Sequence, residues 1–133
     1  MSEKTKEKYG DQLSGKKILL AEDDPQSLAY LKIVLNSEGY SIIIAKNGDD
    51  AVRISKETPD LALILMDIKM PKKSGLDATK EIRAFNVDIP IIAQTAFALA
   101  GDKESIMNAG CNDYISKPFN RADILGIVKK YAG

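Results

Sequence analysis

A few side chains in this 133-residue sequence are of types and at spacings that could do chemistry together. They are the consecutive acids Glu22, Asp23 and Asp24, the single acid Asp67 after LALILM, the hydroxyl of Thr95 after IIAQ, and the amine of Lys117 after DYIS. Each stands at or just past the end of a short apolar run, where a strand would hand over to a loop. Bare carboxylates a few ångströms apart repel and raise one another's pKa, so such a group stays ionised only around a cation. All-oxygen donors suit Mg²⁺ (or Mn²⁺); Mg²⁺ keeps several waters and takes one or two protein carboxylates together with phosphate oxygens. With a hydroxyl and an ammonium added, the natural remaining party is a phosphoryl group.

Those residues converge only if the intervening chain brings them together. The apolar runs Ile18 to Ala21, Ile42 to Ala45, Leu61 to Met66, Ile91 to Ala93 and Tyr114 to Ile115 are nearly continuous rather than alternating. A strand of that kind is covered on both faces, as in a parallel sheet flanked by helices. Helix-period segments lie between the runs. The first begins at Asp24 and Pro25, an N-cap followed by proline, places Leu31, Val34 and Leu35 on its core stripe with Leu28 at the border, and stops at Gly39. Others are expected over Gly48 to Lys56, Ser74 to Phe85, Gly101 to Ala109 and Asn120 to Tyr131. Five βα units in succession predict an α/β domain, a doubly wound five-stranded parallel sheet of flavodoxin-like (βα)5 architecture. Crossovers in such sheets are right-handed, and ligands bind beyond the strand C-termini. The domain is expected over residues 17–133, with the lysine-rich residues 1–16 as a charged linker or tail.

Composition removes several classes of function. Lysine plus arginine and aspartate plus glutamate both number 19, so no basic surface argues for direct nucleic-acid binding. There is no histidine, which excludes histidine-based acid–base catalysis and imidazole metal sites. The lone Cys111 cannot form an internal disulfide and reads as a small, partly buried filler. No apolar run approaches the roughly 18 residues of a membrane span, and the N-terminus is charged rather than signal-like. A soluble, cytoplasmic protein without membrane insertion is expected.

Four ordered motifs resemble the receiver domain of two-component signalling, from Lys17 to about Tyr131. ILLAEDD is similar to the family's first strand with its acidic pair, and LILMDIKMPKKSGLDATKEIR to the phosphoacceptor strand and following loop. IIAQTA is similar to the switch-hydroxyl segment, and NAGCNDYISKPF to the last strand with its lysine and proline. The resemblance implies that Asp67 accepts a phosphoryl group from a partner's phosphohistidine. It implies that Glu22, Asp23, Asp67 and the backbone carbonyl of Lys69 hold Mg²⁺, and that Thr95 and Lys117 bind phosphoryl oxygens. Tyr114 matches the aromatic whose rotamer follows the hydroxyl, and Pro118 a cis Lys-Pro position. Phosphorylation would add about −1.5 to −2 charges, draw in Thr95 and open space for Tyr114. Asp24 is assigned to helix capping and Gly75 to loop geometry.

In the receivers this chain resembles, the residues two after the phosphoacceptor and two after the switch hydroxyl flank the water that hydrolyses the acyl phosphate. Here they are Lys69 and Phe97, neither an obvious water-activating acid or amide, and a bulky Phe97 would shield the acyl phosphate. Slow loss of the phosphoryl group is expected, with faster loss when Phe97 is replaced by a small polar residue. On the first helix, Gln26, Ala29 and Ile33 fall on the side away from the core, a docking strip for a helical phosphodonor such as a histidine kinase or histidine phosphotransfer domain. NDYISKPF and GLDATKEIR look most like receivers of hybrid sensor histidine kinases, whose kinase activity would lie outside this chain. A freestanding single-domain response regulator is the alternative, and a phosphorylation-independent adaptor a weaker one. Oligomeric state is not legible.

Overall fold

The protein is described by a computed structural model over residues 15–96 and 100–133. The chain alternates β1 (Lys17–Ala21), α1 (Pro25–Ser37), β2 (Ser41–Ala45), α2 (Gly48–Glu57), β3 (Leu61–Asp67), α3 (Gly75–Arg83), β4 (Ile91–Thr95), α4 (Ala100–Ala109), β5 (Asp113–Ser116) and α5 (Arg121–Ala132). All strands pair in parallel in the order β2-β1-β3-β4-β5. This is the flavodoxin-like (βα)5 architecture that the apolar runs predict. Phe97 and residues 1–14 lie outside the described residues, and with them the expected effect of Phe97 on loss of the phosphoryl group and most of the expected tail.

Strand alternation divides the interior into two apolar cores. Ile18, Leu20, Leu63, Leu65, Ile92 and Ile115 face α1 and α5, while Leu19, Ile64, Met66, Ile91 and Ala93 face the opposite side with Ala51, Ala78, Ile82 and Ile106. Residues pointing to opposite faces are buried alike, which is why the strands read as continuous apolar runs. Fully burying each leucine, isoleucine or methionine side chain here contributes about 1.5–3 kcal/mol relative to exposure. Leu28 belongs to the first core and is buried, not at the border as the helix pattern predicts.

Helix starts follow cap chemistry. Asp24, Asn47, Ser74 and Asn120 each accept a backbone N–H one turn on, and Asn120 with Asp123 closes a capping box. Gly39 ends the first helical segment with φ 88°, a backbone conformation glycine adopts without a Cβ clash. α3 stops at Arg83 rather than Phe85, because the N–H groups of Ala84 and Phe85 turn back to Glu81 and Ile82. β3 and β4 each run further than their apolar runs, to Asp67 and Thr95, since ladder pairing continues through Asp67↔Gln94 and Thr95↔Ser116. Among the described residues, no helix is long and apolar enough to cross a membrane.

Candidate functional site

The C-terminal ends of β1, β3 and β5 deliver the charged groups. Asp67 closes β3 almost entirely buried. Its Oδ1 accepts the Lys69 backbone N–H at 3.1 Å and its Oδ2 the Lys117 ammonium at 3.3 Å. Glu22 follows β1 directly, anchored by its own N–H to the Ala45 carbonyl at 2.9 Å. The Glu22 Oε2 accepts the Asp24 N–H at 3.1 Å and its Oε1 the Lys117 ammonium at 3.2 Å. Asp23 is exposed, yet one carboxylate oxygen from each of Glu22, Asp23 and Asp67 lies within 4.8 Å of the others. Lys117 is held at its backbone by an N–H bond to the Thr95 carbonyl at 2.7 Å, and its peptide to Pro118 is cis.

Electrostatics follow from this crowding. Burial, with Asp67 alongside, pushes the Glu22 carboxyl above the usual carboxylate range, although the Asp24 N–H and Lys117 pull the other way. Burial alone would lower Lys117, but the adjacent Asp67 and Glu22 charges outweigh it and hold the ammonium above its ordinary value. Asp24 behaves differently from its neighbour Glu22. Its carboxylate caps α1 through the Ser27 N–H at 2.9 Å, and that bond holds it below the usual range. The donor set of Glu22, Asp23 and Asp67 is all oxygen and over-rich in negative charge, which fits a hard divalent cation.

Gly75 sits where the chain leaving β3 makes a close backbone approach. It is the first residue of α3, and a Cβ there would fall 2.1 Å from the Asp67 carbonyl oxygen. The helix start therefore packs directly on the end of β3, tied by the Gly75 N–H to the Ile68 carbonyl at 3.1 Å.

Thr95 and Tyr114 occupy the other side of the sheet edge. Thr95 is buried one residue beyond Gln94, the register partner of Asp67, and alternation turns it toward the α3 and α4 side. Tyr114 packs half-buried on the same core, with the Lys103 ammonium of α4 5.5 Å from its ring centre. The phenol raises the Lys103 pKa through a hydrogen bond.

On α1, Gln26 and Ala29 are exposed and Ile33 is 70% exposed. A cleft of about 530 Å³ runs from α1 to the segment after β5, lined by Gln26, Tyr30, Ala96, Lys117 and Phe119 among others. Tyr30 and Phe119 escaped the sequence reading, although Tyr30 lies one turn after Gln26 and Phe119 follows the Lys-Pro pair. Cys111 is buried, which raises its thiol pKa.

Comparison with known proteins gives a consistent picture. The family model for the response regulator receiver domain matches residues 18–129. The chain is 41% identical over 119 residues to hybrid signal transduction histidine kinase I of Dictyostelium discoideum, covering 84% of this chain and only 7% of that protein. It is 38% identical over 121 residues to the polar-differentiation response regulator DivK of Brucella anthropi, covering 89% of this chain and 97% of that protein. Among solved structures, the receiver domain of sensor histidine kinase PA1611 from Pseudomonas aeruginosa, with a magnesium ion coordinated in its active site cleft, superposes with TM-score 0.83. That likeness has 41% identity and covers 90% of this chain and 98% of that one. The receiver domain of Ssk1 from Saccharomyces cerevisiae, co-crystallised with the histidine phosphotransfer protein Ypd1, gives TM-score 0.83 at 33% identity, covering 88% of each chain.

Proposed function

The chain belongs to the response regulator receiver domain family, and from that premise we propose that it accepts a phosphoryl group on Asp67 from a partner's phosphohistidine. The observation that carries this reading is the Lys117 ammonium set between the nearly buried carboxylates of Glu22 and Asp67, with Asp23 beside them. An Asp67 carboxylate oxygen attacks phosphorus, the N–P bond to the donor imidazole breaks, and the imidazole leaves with the bonding pair. Glu22, Asp23, Asp67 and the Lys69 carbonyl are the residues that would hold Mg²⁺ or Mn²⁺, which when bound neutralises charge on the phosphoryl oxygens. Lys117 and the Thr95 hydroxyl hold phosphoryl oxygens in place, and transfer of this kind depends mainly on positioning and charge. Thr95 moving inward lets Tyr114 change its packing, which carries the state of Asp67 to the α4 and β5 surface. The chain promotes its own phosphorylation and slow dephosphorylation and is otherwise not an enzyme.

The donor is a histidine kinase or histidine phosphotransfer domain in the cytoplasm, docking on Gln26, Ala29 and Ile33. The co-crystal of the Ssk1 receiver with Ypd1 supports that partner class. Likeness to a hybrid kinase and to a sensor-kinase receiver supports the receiver part of a hybrid histidine kinase as its setting. The near-complete coverage of DivK favours a second reading, a freestanding response regulator. The size of the native protein on a denaturing gel separates the two.

Phosphoramidate, a small N–P donor, tests the central chemistry. With Mg²⁺ present, the wild type is expected to shift on a phosphate-affinity gel, and Asp67→Asn or chelator-treated protein is not. Folded wild type that never shifts, or Asp67→Asn that still does, overturns the assignment.

A further inference from the structure

Gln94 has no role in the site described so far, yet its surroundings are unusual. It is fully buried in β4, and neither its side-chain Nε2 nor its Oε1 has a hydrogen-bond partner. Folded interiors pair almost all such atoms, and a leucine would fill the position without a polar group.

The sheet register shows what the amide lies beside. Gln94 pairs with Asp67 on one flank and Ile115 on the other. Register partners project to the same face, so Gln94 shares the α1 and α5 side with the carboxylate of Asp67. Lys117 is two residues beyond Ile115 and reaches Asp67 and Glu22 on that side. β4 lies between β5 and β3, so the lysine side chain crosses the end of the strand that carries Gln94. An ammonium has three N–H donors and no acceptor, and two of its donors are engaged by Glu22 and Asp67.

We propose that Gln94 is a positioning residue for Lys117. When a phosphoryl group on Asp67 draws the ammonium away from Glu22, the Gln94 Oε1 accepts one of its N–H groups and fixes it over the phosphoryl oxygens. This rests on Asp67 being the phosphoacceptor.

Beryllofluoride binding with Mg²⁺, measured by fluorine NMR on wild type, Gln94→Leu and Gln94→Met, tests the assignment. Both variants are expected to bind at least about tenfold more weakly, the loss of one hydrogen bond to a charged group. Their Mg²⁺ affinity without beryllofluoride is expected to stay within about twofold of wild type, and their thermal stability to match or exceed it, since an unpaired buried amide is gone. A merely structural role would leave the lysine itself unchanged. The Lys117 ammonium proton–nitrogen signal should therefore slow its hydrogen exchange on beryllofluoride binding in wild type and lose that protection in both variants. Unchanged beryllofluoride affinity and an unchanged lysine signal in either folded variant overturn the proposal. Wild type that binds no beryllofluoride overturns the phosphoacceptor reading as well, and so distinguishes the two failures.

Discussion

The two faces of the sheet's C-terminal edge divide the labour. On the α1 and α5 side, the buried carboxylates of Glu22 and Asp67 lie 3.2 and 3.3 Å from the partly exposed Lys117 ammonium. On the α3 and α4 side, Thr95 and Tyr114 are neutral and sit over an aliphatic core. Adjacent β4 residues, Gln94 and Thr95, point one to each face. In the proposed function, chemistry on the first face reaches a packing change on the second through this one strand, without carrying charge into the apolar core.

The contrast is broken most severely by removing the shared cation. Lys117→Met should lower phosphorylation by acetyl phosphate by about a hundredfold or more, as loss of one preorganised donor does, and should lower the melting temperature because Glu22 and Asp67 lose their partner. Rates from stopped-time mass spectrometry and a thermal melt check both. On the neutral face, Thr95→Ala should slow the reaction only about tenfold, within the range of losing one hydrogen bond to a charged group. It should also abolish the change in Tyr114 ring signals on beryllofluoride binding. A full Tyr114 response in that variant would uncouple the faces.

Ile33→Asp lies on α1 beyond both faces. It should reduce transfer from a phosphorylated histidine phosphotransfer domain by about tenfold, the 1.4 kcal/mol scale of one lost apolar contact, and leave acetyl phosphate reactivity intact. The smallest effect concerns Asp24, whose depressed pKa stabilises α1 above its unfolded value, with that stability lost as pH falls through the folded value. Asp24→Ala should therefore melt slightly lower than wild type near neutrality and converge with it in acid, as melts across that range would show.

Much of this was legible in the sequence for physical reasons. Continuous apolar runs declare two-sided burial, so strand number and the placement of Glu22, Asp67 and Lys117 at strand ends followed. What escaped depends on long-range packing. Leu28 reads as a border residue on a helical wheel and becomes core only against its actual neighbours. Gly75 looks like a loop glycine until the end of β3 meets the start of α3. Gln94 in IIAQTA reads as one polar residue in a strand, and only the register sets it beside Asp67. The Lys103 contact with Tyr114 joins α4 to β5 across a separation that periodicity does not encode.

In the proposed function, the acid at the end of β3, Asp67, carries the phosphoryl group. Borohydride reduction of protein treated with acetyl phosphate and Mg²⁺, followed by peptide mapping, tests it most directly, because an aspartyl phosphate is reduced to homoserine. Homoserine is expected at position 67 alone. Homoserine at Asp23 or another aspartate, a reduced alcohol at a glutamate such as Glu22, or phosphorylated protein that yields no homoserine, would overturn it.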